Sequence, residues 1–320
     1  MTDKKIAETA PVPIPLLQLG PWLAEALQEA LHPRFQLLPM WQQADPQAYL
    51  ATHAAGVSGI ITHTHGLDTT RALIGLLPRL EIVVNLGSGS ESVDIAAVRE
   101  RGIRFLNGAG ANAPDVAELA ISLMLAAGRN LVAGDRHVRA GRWPIERAPI
   151  TRRVSGKRLG ILGFGEIGRA IARRAAAFDM EIAYFARRPA EGVAWRYMPD
   201  LLELARWADF LVAALPGGAE THHIVDEHVL DALGPQGMLV NVGRGTVVDE
   251  AALVRALQQG RIAGAGLDVF EHEPHVPQAL IESDKVVLQA HHGGSTFEAY
   301  QAVANRAAAN LHAHFFPSRT

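Results

Sequence analysis

The chain has 320 residues, 48% of them apolar, with 30 basic and 33 acidic side chains and a net charge of −3; that length suits about two hydrophobic cores, and the near-balanced charge argues against nucleic acid or an anionic membrane as partner. There is no cysteine, which excludes disulfides, thiolate catalysis and cysteine-ligated metals. No apolar run is long enough to span a bilayer, and the opening MTDKKIAETAPVPIP lacks the apolar core of a signal peptide, so a cytoplasmic protein is expected.

Residues 1–13 read as a polar, Pro-rich arm. Strands are expected over 14–19, 35–38, 57–62, 81–86 and 104–106, with helices over 22–31, 44–54, 69–77 and 93–101 between them. This alternation predicts a small α/β unit around a parallel sheet. After the run IVVNL, the turn Gly87-Ser88-Gly89-Ser90 carries small residues whose backbone N–H groups can converge on an anion. A carboxylate is the expected guest; a glycine-rich turn without a ligand is the alternative.

A helix is expected over 114–127, with Pro114 at its start, Asp115 and Glu118 in its first turn and Gly128 at its end. It is apolar nearly all round, which predicts burial at a seam between domains or subunits. A polar helix over 131–141 leads to Trp143, read as a packing residue or a subunit anchor.

The stretch 157–188, KRLGILGFGEIGRAIARRAAAFDMEIAYFARR, reads as strand 158–162, glycine turn, helix 166–178 and strand 181–185. Its G-x-G-x-x-G assigns Gly163 to the tight turn, Gly165 to close approach by a pyrophosphate and Gly168 to helix–strand packing. The helix N-terminus can hold the pyrophosphate. An acidic residue after the second strand would bond a ribose 2′-hydroxyl. Arg187 and Arg188 stand there instead, and their planar donors suit a 2′-phosphate. NADP(H) is therefore expected as the preferred cofactor, with NAD(H) as the second choice.

Beyond it, a helix is expected over 201–207 and a strand over 210–215 that ends in Leu215-Pro216-Gly217-Gly218, at the edge where doubly wound sheets bind ligands. A helix over 226–233 precedes a strand over 238–242 that runs into Gly243-Arg244-Gly245. Asp249 caps a helix to 259; strands follow over 264–269, containing Asp268, and over 285–289. Ser295 and Glu298 form a capping box for a last helix to 315, expected to return to the first domain.

Arg244, Glu273 and His291 thus fall at or just past C-terminal strand ends. They suit reduction of a 2-oxo acid. Arg244 can bind carboxylate and carbonyl. His291 can donate a proton. Glu273 can fix its tautomer and raise its pKa. Asp268 can accept from a nicotinamide carboxamide. The other histidines, including His63, His65, His222, His223, His272, His275 and His292, are scattered in sequence without metal-ligand spacing and read as structural or solvent-facing, so no metal is expected.

The stretches GSGSESVD (87–94), NAPDVAELA (112–120), LGILGFGEIGRAIA (159–172), LVNVGRGTVVDEAAL (239–253), GAGLDVFEHEP (264–274) and HHGGST (291–296) resemble the D-isomer-specific 2-hydroxyacid dehydrogenase family over nearly the whole chain. The resemblance implies an α/β fold of two doubly wound parallel-sheet domains. A flavodoxin-like substrate domain over 1–111 and 296–320 would surround an inserted Rossmann NAD(P)-binding domain over 112–295, with a cleft that opens and closes. It also implies a homodimer built through the nucleotide domains.

Residue by residue, Arg244 matches the family's substrate-binding arginine, Glu273 the acidic partner and His291 the acid/base histidine. Ser88 and Gly89 match the backbone site for the substrate carboxylate, and Asp268 the nicotinamide-amide ligand. Phe164, Gly165, Glu166 and Ile167 match the pyrophosphate loop; Val242, Gly243 and Gly293, with Leu215 and Pro216, are assigned to the cofactor. Arg187, Arg188 and the LPGG stretch resemble the NADPH-preferring glyoxylate/hydroxypyruvate reductase branch, in some members of which a Trp like Trp143 reaches the neighbouring subunit's active site. Ala290 is a departure, since proline usually precedes the histidine. The expected substrate is glyoxylate, hydroxypyruvate or a similar small 2-oxo acid. The alternatives are a larger acid, such as 2-ketogluconate or an aryl pyruvate, and a non-catalytic NAD(P)-sensing interaction protein.

Overall fold

In the computed structural model, which describes residues 12–63 and 66–317, the chain divides into two compact units. The described residues up to 111 with those from 297 onward form one, and residues 112–296 the other. The arm expected over 1–13 lies, up to residue 11, outside the described residues, as do Thr64 and His65. Among the described residues no single helix is long and apolar enough to cross a membrane.

In the first unit, β1 (Ile14–Gln18), β2 (Phe35–Pro39), β3 (Gly59–Thr62), β4 (Ile82–Asn85) and β5 (Arg104–Asn107) form one parallel sheet in the order β2-β1-β3-β4-β5. This is the flavodoxin-like order, with its switch point between β1 and β3. β3 and β4 are buried on both faces, which is why GIIT and IVVN read as apolar runs without alternation. On one face, α2 (Pro46–His53), α3 (Arg71–Leu76) and α4 (Ile95–Glu100) bring Leu50, Ile74 and Val98 onto Leu17, Ile60 and Val83. On the other, α1 (Ala24–Leu31) and the last helix, α12 (Phe297–Phe315), bring Leu27, Val303 and Leu311 onto Leu16, Ile61 and Ile82. Each such side chain, fully buried, contributes roughly 1.5–3 kcal/mol before the entropy of ordering it.

The second unit begins with α5 (Ala113–Gly128) and α6 (Leu131–Arg139). Its strands are β6 (Arg158–Leu162), β7 (Glu181–Phe185), β8 (Arg196–Tyr197), β9 (Phe210–Ala213), β10 (Met238–Asn241), β11 (Gly264–Leu267) and β12 (Val286–Leu288). All are parallel, in the order β8-β7-β6-β9-β10-β11-β12. That is a Rossmann sheet with a seventh strand, and its switch point lies between β6 and β9. On one face, α5 and α7 (Glu166–Ala176) cover β6, β9 and β10 through Met124, Ile171 and Phe210. The other face is covered by α8 (Leu201–Trp207), α9 (Glu227–Leu233) and α10 (Glu250–Gln258). α11 (Gln278–Ile281) precedes β12.

The buried residues of α5 join the core of β6, β9, β10 and α7 within the second unit. Several expectations are corrected. The helix expected from 44 starts at Pro46, because the Asp45 carboxylate accepts the Gln47 and Ala48 N–H groups. The helix expected to reach 178 stops at Ala176, and Asp179 takes a left-handed φ of 54°. The last helix starts at Phe297, so Thr296 rather than Ser295 stands before it, and the Thr296 hydroxyl donates to Asp115 at 2.6 Å. β8 and α11 were not expected; elements of two and four residues carry no readable period.

Candidate active site

The glycine turn follows β6, and its three glycines meet three different surroundings. Gly163 has a φ of +89°, and a Cβ there would stand 2.8 Å from the Ala214 carbonyl. A Cβ at Gly168 would run into the Gly163 carbonyl, so this glycine lets α7 lie against the turn. A Cβ at Gly165 would meet nothing within 4 Å. Gly165 has an extended φ of −78° that any residue adopts. The chain itself therefore does not require glycine here, and the open space above Gly165 fits a dinucleotide pyrophosphate. No side chain caps the N-terminus of α7, so Glu166, Ile167 and Gly168 present first-turn N–H groups. Phe164 turns inward and stacks on Tyr184 with ring centroids 3.9 Å apart.

Arg187 and Arg188 follow β7 and are exposed. Arg187 stands 3.7 Å from Glu220, a pair open to water and worth little on its own. The turn that carries the arginines is braced from below: the Tyr184 hydroxyl accepts the Ala190 N–H at 2.8 Å, and the Tyr197 hydroxyl donates to the Ala186 carbonyl at 3.2 Å. The ends of β9 and β10 pack together beside the glycine turn. A Cβ at Gly243 would stand 2.5 Å from the Leu215 carbonyl, and the Thr221 hydroxyl donates to Pro216 at 2.7 Å. Leu215, Pro216, Val242 and Gly243 thus border the same sheet edge.

Arg244 is shaped by a residue that sequence reasoning missed. Asn241, 1% exposed, accepts the Gly243 N–H at 3.1 Å and donates to the Arg244 carbonyl at 3.0 Å. The turn is pinned, and the Arg244 guanidinium itself donates from one Nη to the Gly243 carbonyl at 2.9 Å. A Cβ at Gly245 would collide with the Phe270 backbone, so glycine lets the Arg244 turn lie against the loop after β11.

That loop carries Glu273. Its Oε1 accepts the Phe270 N–H at 3.1 Å, and its Oε2 lies 2.8 Å from His291 Nδ1. A carboxylate only accepts, so Nδ1 carries the proton of this bond. Burial pushes the Glu273 carboxyl up, but the bonds from His291 and Phe270, with the charges of His291 and Arg244, outweigh it and hold it below its ordinary value. The Glu273 bond, with the charges of Glu273 and Asp268, raises His291 above its ordinary value, against burial and the Arg244 charge. The chain therefore presents an imidazole whose protonated form is favoured by a neighbouring carboxylate, beside a guanidinium.

Asp268 is also 1% exposed. Its Oδ1 accepts the His292 N–H at 2.7 Å and its Oδ2 the Gly293 N–H at 2.9 Å, while its carbonyl accepts the His291 N–H at 2.8 Å. It therefore ties down the loop in which His291 sits at a φ of +56°. A Cβ at Gly293 would stand 2.9 Å from Asp268 Oδ2, so this tie needs glycine.

The histidines read as scattered are in part gathered. The ligand atoms of His222, His223 and Glu271 lie within 4.8 Å of one another. His223 Nε2 is 2.6 Å from Glu271 Oε1, and His222 stacks on His223 at 3.9 Å. These contacts tie the segment after Gly218 to the loop that carries Glu273. The Glu271 N–H also donates to Glu250 at 3.0 Å, whose carboxyl is raised by burial. In the first unit, Ser88 and Gly89 lie in the turn after β4, and His63, at the end of β3, stacks on Trp22 at 4.1 Å.

A family model described as D-isomer specific 2-hydroxyacid dehydrogenase, NAD binding domain, matches residues 121–293. The chain is 43% identical over 294 residues to a glyoxylate/hydroxypyruvate reductase A of Arabidopsis thaliana, covering 92% of this chain and 93% of that one. It is 40% identical over 300 residues to a 2-ketogluconate reductase of Gluconobacter oxydans, covering 94% and 95%. Among solved structures, it is similar to an NADPH-dependent glyoxylate/hydroxypyruvate reductase of Sinorhizobium meliloti in complex with NADP and malonate, with a TM-score of 0.84, 38% identity and coverage of 96% and 95%.

Proposed function

The chain belongs to the D-isomer specific 2-hydroxyacid dehydrogenase family, and on that footing we propose that it reduces a small 2-oxo acid, glyoxylate or hydroxypyruvate, to the 2-hydroxy acid with NADPH. The observation that carries the reading is the 2.8 Å pair of His291 and Glu273 with Arg244 beside it. A sensor of nucleotides has no use for an imidazole bonded to a carboxylate that favours its protonated form.

When bound, NADPH supplies the hydride that reaches C2 of the oxo acid. The first-turn N–H groups of α7 and the open space at Gly165 hold its pyrophosphate. Arg187 and Arg188 take the 2′-phosphate, and Leu215, Pro216, Val242, Gly243, Asp268 and Gly293 line the remainder. Arg244 grips the carboxylate and carbonyl oxygen of the oxo acid with its fork of donors. His291, bonded to Glu273 through Nδ1, gives its Nε2 proton to the carbonyl oxygen and becomes neutral. Glu273 keeps the ring in the required tautomer and favours its recharging from solvent.

A homodimer through the second unit is part of the proposal. In this unit Val138, Trp143, Ile145 and Ile150 are apolar and exposed, Trp143 at 67%. Such a strip suits burial against a second copy.

The cofactor assignment is tested by the double substitution Arg187→Ala with Arg188→Ala. Loss of charge-assisted phosphate bonds should raise KM for NADPH roughly 10- to 100-fold and leave KM for NADH within about twofold. Equal losses for both cofactors would remove the phosphate role.

A further inference from the structure

The turn at 87–90 in the first unit is held by two asparagine side chains. Asn85, the last residue of β4 and fully buried, donates from Nδ2 to the Gly89 carbonyl at 2.6 Å. Asn107, the last residue of β5, donates from Nδ2 to the Ser88 carbonyl at 2.9 Å. Each carbonyl belongs to a planar trans peptide whose N–H points the opposite way. Tying the Ser88 carbonyl therefore aims the Gly89 N–H, and tying the Gly89 carbonyl aims the Ser90 N–H. Neither N–H has an acceptor among the described residues.

The surroundings are built for this hold. A Cβ at Gly108 would run into the Leu86 carbonyl, so glycine lets the segment after Asn107 lie against the turn, where the Gly108 N–H donates to the Gly87 carbonyl at 3.0 Å. Asn85 stands at the end of the apolar run IVV, and its Oδ1 is buried without a partner. A half-paired buried amide is unfavourable. Its bond to Gly89 is what offsets that cost.

We propose that Asn85 and Asn107 are positioning residues. They lock two successive peptide planes so that the Gly89 N–H, with the Ser90 N–H beside it, is preset to receive the carboxylate of the 2-oxo acid, a pair one residue along from the Ser88–Gly89 pair that the family resemblance implies. The proposal rests on the reaction assigned above. A preset pair of donors binds without first ordering its loop, so the clamp acts on substrate affinity.

The test is steady-state kinetics of the full chain with NADPH and varied glyoxylate. Asn107→Ala should raise KM for glyoxylate at least about tenfold, with kcat and KM for NADPH within about twofold. Asn107→Asp is nearly isosteric but replaces the donor with an anion. It should be worse than Ala, whereas a packing role alone would make it the milder change. Asn85→Ala should act like Asn107→Ala; if it does not fold, the half-buried Asn107 carries the test. An unchanged KM in Asn107→Ala, or recovery in Asn107→Asp, overturns the clamp and leaves the reaction standing. Failure of the unaltered chain to reduce any 2-oxo acid overturns the reaction and, with it, the ligand of the clamp.

Discussion

His291→Gln should lower kcat for 2-oxo acid reduction by about 10²–10⁴-fold, the range lost with a general acid. KM for NADPH should change by less than about threefold, because the Asp268 ties to the loop backbone do not involve the imidazole. Glutamine keeps a donor near the carbonyl oxygen but has no proton to give up. The pH dependence follows from the electrostatics. Reduction needs the protonated imidazole, and Glu273 raises the His291 pKa. Activity should therefore hold at low pH and fall as pH rises through that raised pKa. Glu273→Gln removes the raising charge and leaves at most a neutral acceptor for Nδ1, so the falling limb should move to lower pH. Near-normal turnover by His291→Gln, or a limb unmoved by Glu273→Gln, would refute the assignment.

Arg244→Ala should reduce kcat/KM for the oxo acid by roughly 10²–10⁴-fold, as expected for two charge-assisted bonds of about 1.5–3 kcal/mol each. Arg244→Lys should recover little, since an ammonium cannot reproduce the planar fork. Arg244→Ala carries an opposite pH signature. The Arg244 charge lowers the His291 pKa. Its removal should move the falling limb to higher pH, against the direction given by Glu273→Gln. Two variants that shift one limb in opposite directions separate a titrating His291 from general damage to the site. A limb that moved the same way in both would contradict this account.

Much of the architecture was legible because the strands are short apolar runs in strict alternation with helices. β6, the glycine turn and α7 could be read together, since a strand, a turn needing a positive φ at Gly163 and a helix packed through Gly168 leave three separate marks in six residues. Arg244, Glu273 and His291 could be placed at strand ends by counting strands. What could not be read were side chains that bond to the backbone of irregular loops. Asn241, Asn85 and Asn107 each end a strand, and in sequence they are ordinary turn residues. Their bonds depend on the path the chain takes afterwards. The His223–Glu271 pair joins positions 48 residues apart, and no local period marks it. Asp268 was read as a ligand for the cofactor; its buried ties to His292 and Gly293 arise only because the loop after β12 folds back over β11.

The central claim, NADPH-linked reduction of a small 2-oxo acid, is tested most directly by initial rates of NADPH and NADH oxidation with glyoxylate and hydroxypyruvate, beside pyruvate, phenylpyruvate and 2-ketogluconate. The account predicts turnover with the first two acids and a preference for NADPH of at least about tenfold in kcat/KM. Turnover confined to phenylpyruvate or 2-ketogluconate would keep the chemistry and reject the substrate. Tight NADPH binding without turnover of any of the five would contradict the account.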